Sequence, residues 1–262
     1  MQDGARRETP HLVVFQRMIP NLITLTALCA GVTSVQHAIN MEWDKAIMAL
    51  LVAMVLDALD GATARILKAT SEFGAHLDTL SDFMAFGIAP ATLLYLWILE
   101  ESGRVGWIAM LFYVCATAMR LARFNTQQKS SKALPGFFTG VPSPAGAGLL
   151  LMPVILWMQN EEWFAQFGHA SPAIAVWTIL VACLMISRIP TFSIKNIRLP
   201  SKAVMPVMAC AVLLIAALVN LPWQMMTVLG AAYMASIPFA YLKARKLMKD
   251  TAADVDEEDL PL

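Results

Sequence analysis

Charge is what this chain has least of. Asp, Glu, Lys and Arg together supply 15% of its 262 residues, while hydrophobic residues supply 58% and the mean hydropathy is +0.61. A soluble domain carries roughly 25% charged residues, so an ordinary water-exposed globule is excluded. Cysteine is sparse too. Cys29, Cys115, Cys183 and Cys210 stand far apart with no CxxC pair. That excludes a disulfide framework and leaves buried, small apolar packing as their expected use. No cleavable leader is expected either: a charged stretch precedes the first apolar run, but the run is long and lacks a small-residue cleavage site, so it reads as a membrane helix. No repeat, low-complexity linker or second soluble domain interrupts the chain. Net charge is zero, so the total says nothing about partners.

What is present is apolar sequence in long runs. Eight helices are expected, over roughly 18–38, 46–66, 75–99, 105–124, 141–159, 171–188, 203–221 and 224–243. The fold class is therefore all-α, a polytopic membrane helical bundle of about eight spans. The fifth helix contains Pro142, Pro144 and Pro153, which membrane helices tolerate when neighbours satisfy the freed backbone groups. The distribution of charge orients the bundle. Of the 19 basic residues, all but Lys45 and Arg104 fall at the two termini or in every second loop. By the positive-inside rule both termini then lie in the cytoplasm. Residues 1–17 form a cytoplasmic N-terminal segment, and 248–262, with the run DVDEEDL, an acidic, disordered cytoplasmic tail. Trp43, Trp163 and Trp223 fit an interfacial aromatic belt.

Against this background Asp57, Asp60, Asp78 and Asp82 stand out. Ionisable residues inside membrane spans are costly and mark function. Asp57 and Asp60 are three residues apart in the second helix; Asp78 and Asp82 are four apart at the start of the third. Each pair shares a helical face. A turn of about nine residues between the helices would make them antiparallel neighbours and bring all four carboxylates together near the cytoplasmic surface. Carboxylate oxygens suit Mg2+ or Mn2+, and four of them suffice for two ions. Such a site supports in-line displacement at phosphorus. Gly61, Ala64 and Gly74 leave room for a ligand or a second backbone, and Arg65 can grip a phosphate through two donors.

The run Asp57-x2-Asp60-Gly61-x2-Ala64-Arg65-x8-Gly74-x3-Asp78-x3-Asp82 resembles the signature of the CDP-alcohol phosphotransferases, with every fixed position filled. The resemblance implies transfer of a phosphatidyl or similar group from a CDP-linked donor to an alcohol, with release of CMP. It implies that Asp57, Asp60, Asp78 and Asp82 bind two Mg2+ or Mn2+ ions and that Asp82 is the base for the acceptor hydroxyl. Asp60, Gly61, Ala64, Arg65 and Gly74 would hold the CDP moiety. So would Pro20, Asn21 and Thr24 in IPNLITL at the start of the first helix. Further stretches, TLSDFMAFGIAPA, RLARFN, FTGVPSPAGAG and SRIPTFSIK, look like the bacterial integral-membrane branch that uses L-serine. That likeness implies CDP-diacylglycerol and L-serine as substrates, the bacterial inner membrane as location with the site on its cytoplasmic side, a homodimer, and no nucleic acid partner. A six-helix catalytic core would occupy residues 18–200, and two additional helices over 201–247 would serve packing.

Outside the signature, Arg120 and Arg123 lie three apart at the end of the fourth helix, where cations suit the helix dipole. With Asn125, Arg188 and Lys195 they are candidates for the acceptor carboxylate or the donor phosphate. His76 reads as a polar packing residue, and His11, His37 and His169 join no constellation. Two rivals remain. A sibling enzyme would use glycerol 3-phosphate, inositol phosphate or choline. A cation transporter would spread its acids through the depth of the membrane.

Overall fold

The computed structural model describes residues 10–128, 137–162, 171–192 and 201–258. The chain divides into two compact units, 1–121 and 122–262.

The first unit contains α1 (Pro10–Ile39), α2 (Trp43–Ile66), α3 (Glu72–Asp82), α4 (Ala89–Trp97) and most of α5 (Arg104–Gln128). Helices α3 and α4 are one span interrupted by a π-turn, Phe83–Ile88. A 3-10 turn, Leu99–Ser102, leads to α5. Helix α1 is central: it runs along α2 and also touches α3, the π-turn and α4. Its inner face is small. Ala27, Ala38, Ala46 and Ala53 are buried across α1 and α2, while Leu22, Leu25, Val32, Val52, Val55 and Leu59 are exposed. That is the reverse of a water-soluble helix, in which large apolar residues face inward. It suits a bilayer, where small residues allow close backbone approach and large ones meet lipid. The same logic corrects one expectation. Cys29, Cys115 and Cys183 are exposed rather than buried, because a lipid-facing surface is as apolar as a core.

The turn from α1 to α2 is held by side chains. Met41 takes a left-handed φ of 59°. Glu42 accepts from Lys45 at 2.7 Å and pairs with His37 Nδ1 at 2.6 Å. These bonds draw the Glu42 carboxyl below its ordinary pKa of 4.5, Lys45 contributing most. His37 therefore does join a constellation, through a contact the sequence did not reveal. At the other end of α2, Ser71 caps α3 by accepting the Gly74 N–H at 3.0 Å.

The second unit contains β1 (Phe137–Thr139), α6 (Ser143–Gln159), α7 (Ser171–Ile186), β2 (Pro190–Phe192), α8 (Ser201–Asn220) and α9 (Pro222–Glu258). The strands pair antiparallel, Phe137 opposite Phe192 and Thr139 opposite Pro190. No strand is expected from the sequence, because three residues each are too few to show a period of two. Gly140 leaves β1 at φ +78°, where a Cβ would lie 2.7 Å from the Met185 carbonyl oxygen, so glycine is needed for both reasons. Helix α6 packs on α7 and α9, with Trp177 Nε1 donating to the Leu149 carbonyl at 2.9 Å and Gln159 Nε2 donating to Thr227 at 2.7 Å.

The expected eight spans correspond to α1, α2, α3–α4, α5, α6, α7, α8 and α9. Among the described residues, five helices are long and apolar enough to cross a membrane, and α6 and α7 are shorter apolar helices. The fold is thus a polytopic helical bundle. Helix α9 runs to Glu258, so it is helical where a disordered tail was expected from 248. No Gly or Pro falls between Ala240 and Glu258, and Ala, Lys, Leu and Glu favour helix there.

Candidate active site

The four aspartates meet as their spacing requires. In α2 the segment LDALDG puts Asp57 and Asp60 on one face; in α3, LDTLSD does the same for Asp78 and Asp82. Carboxylate oxygens of Asp57, Asp60 and Asp78 all lie within 4.8 Å of one another. Asp82 joins through Asp57, with which its carboxyl is in hydrogen-bonding contact. The turn between the helices is shorter than expected, Leu67 to Ser71. Helix α3 is held chiefly against α1, while α2 meets the same span further along, at the π-turn and α4. Side chains therefore bridge the gap that the backbones leave.

Helix α1 supplies the support. Thr24 is buried, and its hydroxyl reaches Asp60 Oδ2 at 2.5 Å. Ser81, next to Asp82 and also buried, donates to the Thr24 carbonyl at 3.2 Å. Asp60 is only 4% exposed. Burying an ionised carboxylate without compensation is costly, and among the described residues no member of the cluster makes a salt bridge. Asp82 Oδ1 is buried with no hydrogen-bond partner among them. An orphaned acceptor beside three converging carboxylates fits a hard divalent cation.

The remaining signature positions lie on the same helices as the acids and on α1. Gly74 faces Asn21: a Cβ there would lie 2.9 Å from Asn21 Oδ1 and 3.1 Å from Ser71 Oγ. At Gly61 a Cβ would come 3.7 Å from Arg65 Nη1, so the guanidinium folds back over the glycine. Ala64 is half-buried and Arg65 exposed. Pro20 and Thr24 are buried and Asn21 is half-buried on α1.

The expected acceptor residues separate. Arg120 is half-buried and close enough to Asp82 to act on it electrostatically. Arg123 donates through Nη1 to the Ile186 carbonyl at 2.8 Å, closing the end of α7. Asn125 is half-buried and Arg188 exposed; Lys195 lies outside the described residues. His76 is exposed rather than packed. Sequence reasoning passed over Ser81 and Tyr113, a fully buried tyrosine on α5. For Ser81 the signal is its place inside LSD; for Tyr113 it is Pro90, whose missing N–H leaves the Phe86 carbonyl without its helical donor.

The family model described as CDP-alcohol phosphatidyltransferase matches residues 17–189, and one described as CDP-alcohol phosphatidyltransferase 2 matches residues 202–238. The chain belongs to the CDP-alcohol phosphatidyltransferase family. A Mycobacterium tuberculosis protein named CDP-diacylglycerol–serine O-phosphatidyltransferase is 35% identical over 236 residues, covering 88% of this chain and 80% of its own length. Proteins with the same name from Helicobacter pylori and Bacillus subtilis are 33% and 32% identical, covering 69% and 65% of this chain and 74% and 88% of their own lengths. The match over 202–238 falls where the sequence reading found no motif.

Proposed function

We propose that this chain transfers the phosphatidyl group of CDP-diacylglycerol to the hydroxyl of L-serine and releases CMP. The observation that carries the reading is the convergence of Asp57, Asp60 and Asp78 beside Asp82, at the signature positions of the family. Serine as the acceptor is supported by the names of the relatives from three bacterial genera. The crowding of the acids into one cluster shared by α2 and α3 favours an enzyme over a transporter.

Asp57, Asp60, Asp78 and Asp82 would hold two Mg2+ or Mn2+ ions, which supply positive charge to the diphosphate and to the entering oxygen. Thr24 keeps Asp60 in place from behind. Asp82 takes the proton of the serine hydroxyl. The serine oxygen bonds to the phosphorus that carries diacylglycerol, and the bond from that phosphorus to the CMP oxygen breaks. Arg65, folded over Gly61, holds the phosphates, and Arg120 faces the same carboxylate that handles the proton. The diacylglycerol tails stay among the exposed apolar faces of the spans. The distribution of basic residues supports termini and site on the cytoplasmic side of a bacterial inner membrane.

The test is an acceptor panel. Purified protein with CDP-diacylglycerol and Mn2+ is offered L-serine, glycerol 3-phosphate, inositol phosphate or choline, and CMP and lipid product are measured. Serine-dependent CMP release with phosphatidylserine formed is the expected result; product only with another alcohol rejects serine.

A further inference from the structure

The span that carries Asp78 and Asp82 does not run as a plain α-helix. Directly after Asp82 it passes through the π-turn Phe83–Ile88, in which the Ala89 N–H reaches back five residues to the Met84 carbonyl. A π-turn adds one residue to a helical turn, and one residue is about 100° of rotation. The turn therefore sets the direction in which Asp82 points relative to the buried face that follows: Ala85, Phe86, Leu93 and Leu94.

Something must hold such a turn. Pro90 has no N–H, so the carbonyl four residues earlier, that of Phe86, loses its ordinary α-helical donor. The Tyr113 hydroxyl donates to this carbonyl at 2.9 Å, and the side chain is 0% exposed. One turn further along α5, Thr117 donates to the Tyr113 carbonyl at 3.0 Å. Its Cγ2 would stand 3.2 Å from a Cβ at Gly87. Arg120, seven residues after Tyr113 and so on the same face of α5, acts on Asp82 itself.

We infer that Tyr113 is a positioning residue for Asp82: its hydrogen bond to the carbonyl freed by Pro90 fixes the π-turn, and the π-turn aims Asp82 at Asp57. This rests on the proposed role of Asp82 in metal binding and proton transfer. Tyr113 itself need touch neither substrate nor metal.

The test pairs Tyr113→Phe with Pro90→Ala, each purified in detergent. Two readings are taken: steady-state CMP release, and the Mn2+ concentration that gives half-maximal protection against thermal unfolding. Loss of an outer-shell partner costs about tenfold or more, so Y113F is expected to lower kcat about tenfold and to raise the half-protecting Mn2+ about tenfold. KM for CDP-diacylglycerol stays within about twofold, because the lost interaction serves the reacting end. Pro90→Ala returns a main-chain donor to Phe86, so Y113F added to that background has little further effect. Wild-type kcat and Mn2+ protection in Y113F overturn the inference. So does the same loss in both backgrounds. If Y113F alone does not fold, the comparison of P90A with P90A/Y113F decides, because equal behaviour there supports the inference and a further loss overturns it. Mn2+ protection is read with no acceptor present, so a failure of serine as substrate stays distinguishable from a failure here.

Discussion

The two ends of α2 treat acid in opposite ways. At its start, Glu42 is met by Lys45 and His37 within 2.7 Å, and the cluster closes a turn. Near its end, Asp57 and Asp60 face Asp78 and Asp82, and the described residues offer these carboxylates no salt bridge. The first arrangement is complete as it stands. In the second, like charges are forced within 4.8 Å, which a protein sustains only when protons or foreign cations share the space. The lesson is that an acid's function is read from what faces it: acids paired with protein cations build structure, and acids crowded against one another, with only the field of Arg120 on Asp82 to offset them, imply a ligand.

Three experiments test this contrast, taken from the largest effect to the smallest. Asp82→Asn keeps the size of the side chain but removes the base. General-base contributions run to about 10²–10⁴-fold, so CMP release should fall by that order at saturating substrates, while the folded protein survives in detergent. Undiminished turnover would remove Asp82 from the chemistry. Thr24→Val comes next. It removes the hydroxyl that Asp60 relies on without changing the shape of α1. Turnover should fall about tenfold and half-saturating Mn2+ should rise; a change in KM for CDP-diacylglycerol alone would instead make Thr24 a nucleotide contact.

Glu42→Gln should be the mildest. Activity is expected to be unchanged and the melting temperature slightly lower near neutral pH, since exposed pairs contribute little. The sign follows from the depressed carboxyl: its stabilisation is present above the ordinary value of 4.5 and is lost as pH falls through the lower folded-state value. The difference between Glu42→Gln and the parent should therefore shrink as pH drops below about 4. A gap in melting temperature that persists there would contradict the pairing.

Much of the site was legible in the chain because spacing along a helix is a direct statement about faces. Asp57 with Asp60 and Asp78 with Asp82 needed only the helical period to be paired, and the glycines and Arg65 between them carried the family likeness. The helical spans were legible through length and apolarity. What stayed hidden depended on partners distant in sequence. Nothing near Thr24 announces Asp60, thirty-six residues on, and nothing near Arg123 announces the end of α7. The short ladder of β1 and β2 falls below any periodic signal. Exposure of the cysteines is not legible in the chain because lipid and core reward the same residues. The π-turn left one trace, Pro90 four residues after Phe86, which has meaning only once Tyr113 is seen to answer it.

The last helix has a consequence in simple length. Its 37 residues at about 1.5 Å each extend about 55 Å, against a hydrocarbon layer of about 30 Å. The apolar part ends at Lys243, so the last fifteen residues of the helix carry it about 22 Å further along its own axis. Glu258 is thereby tied to the apolar segment by four turns of unbroken helix.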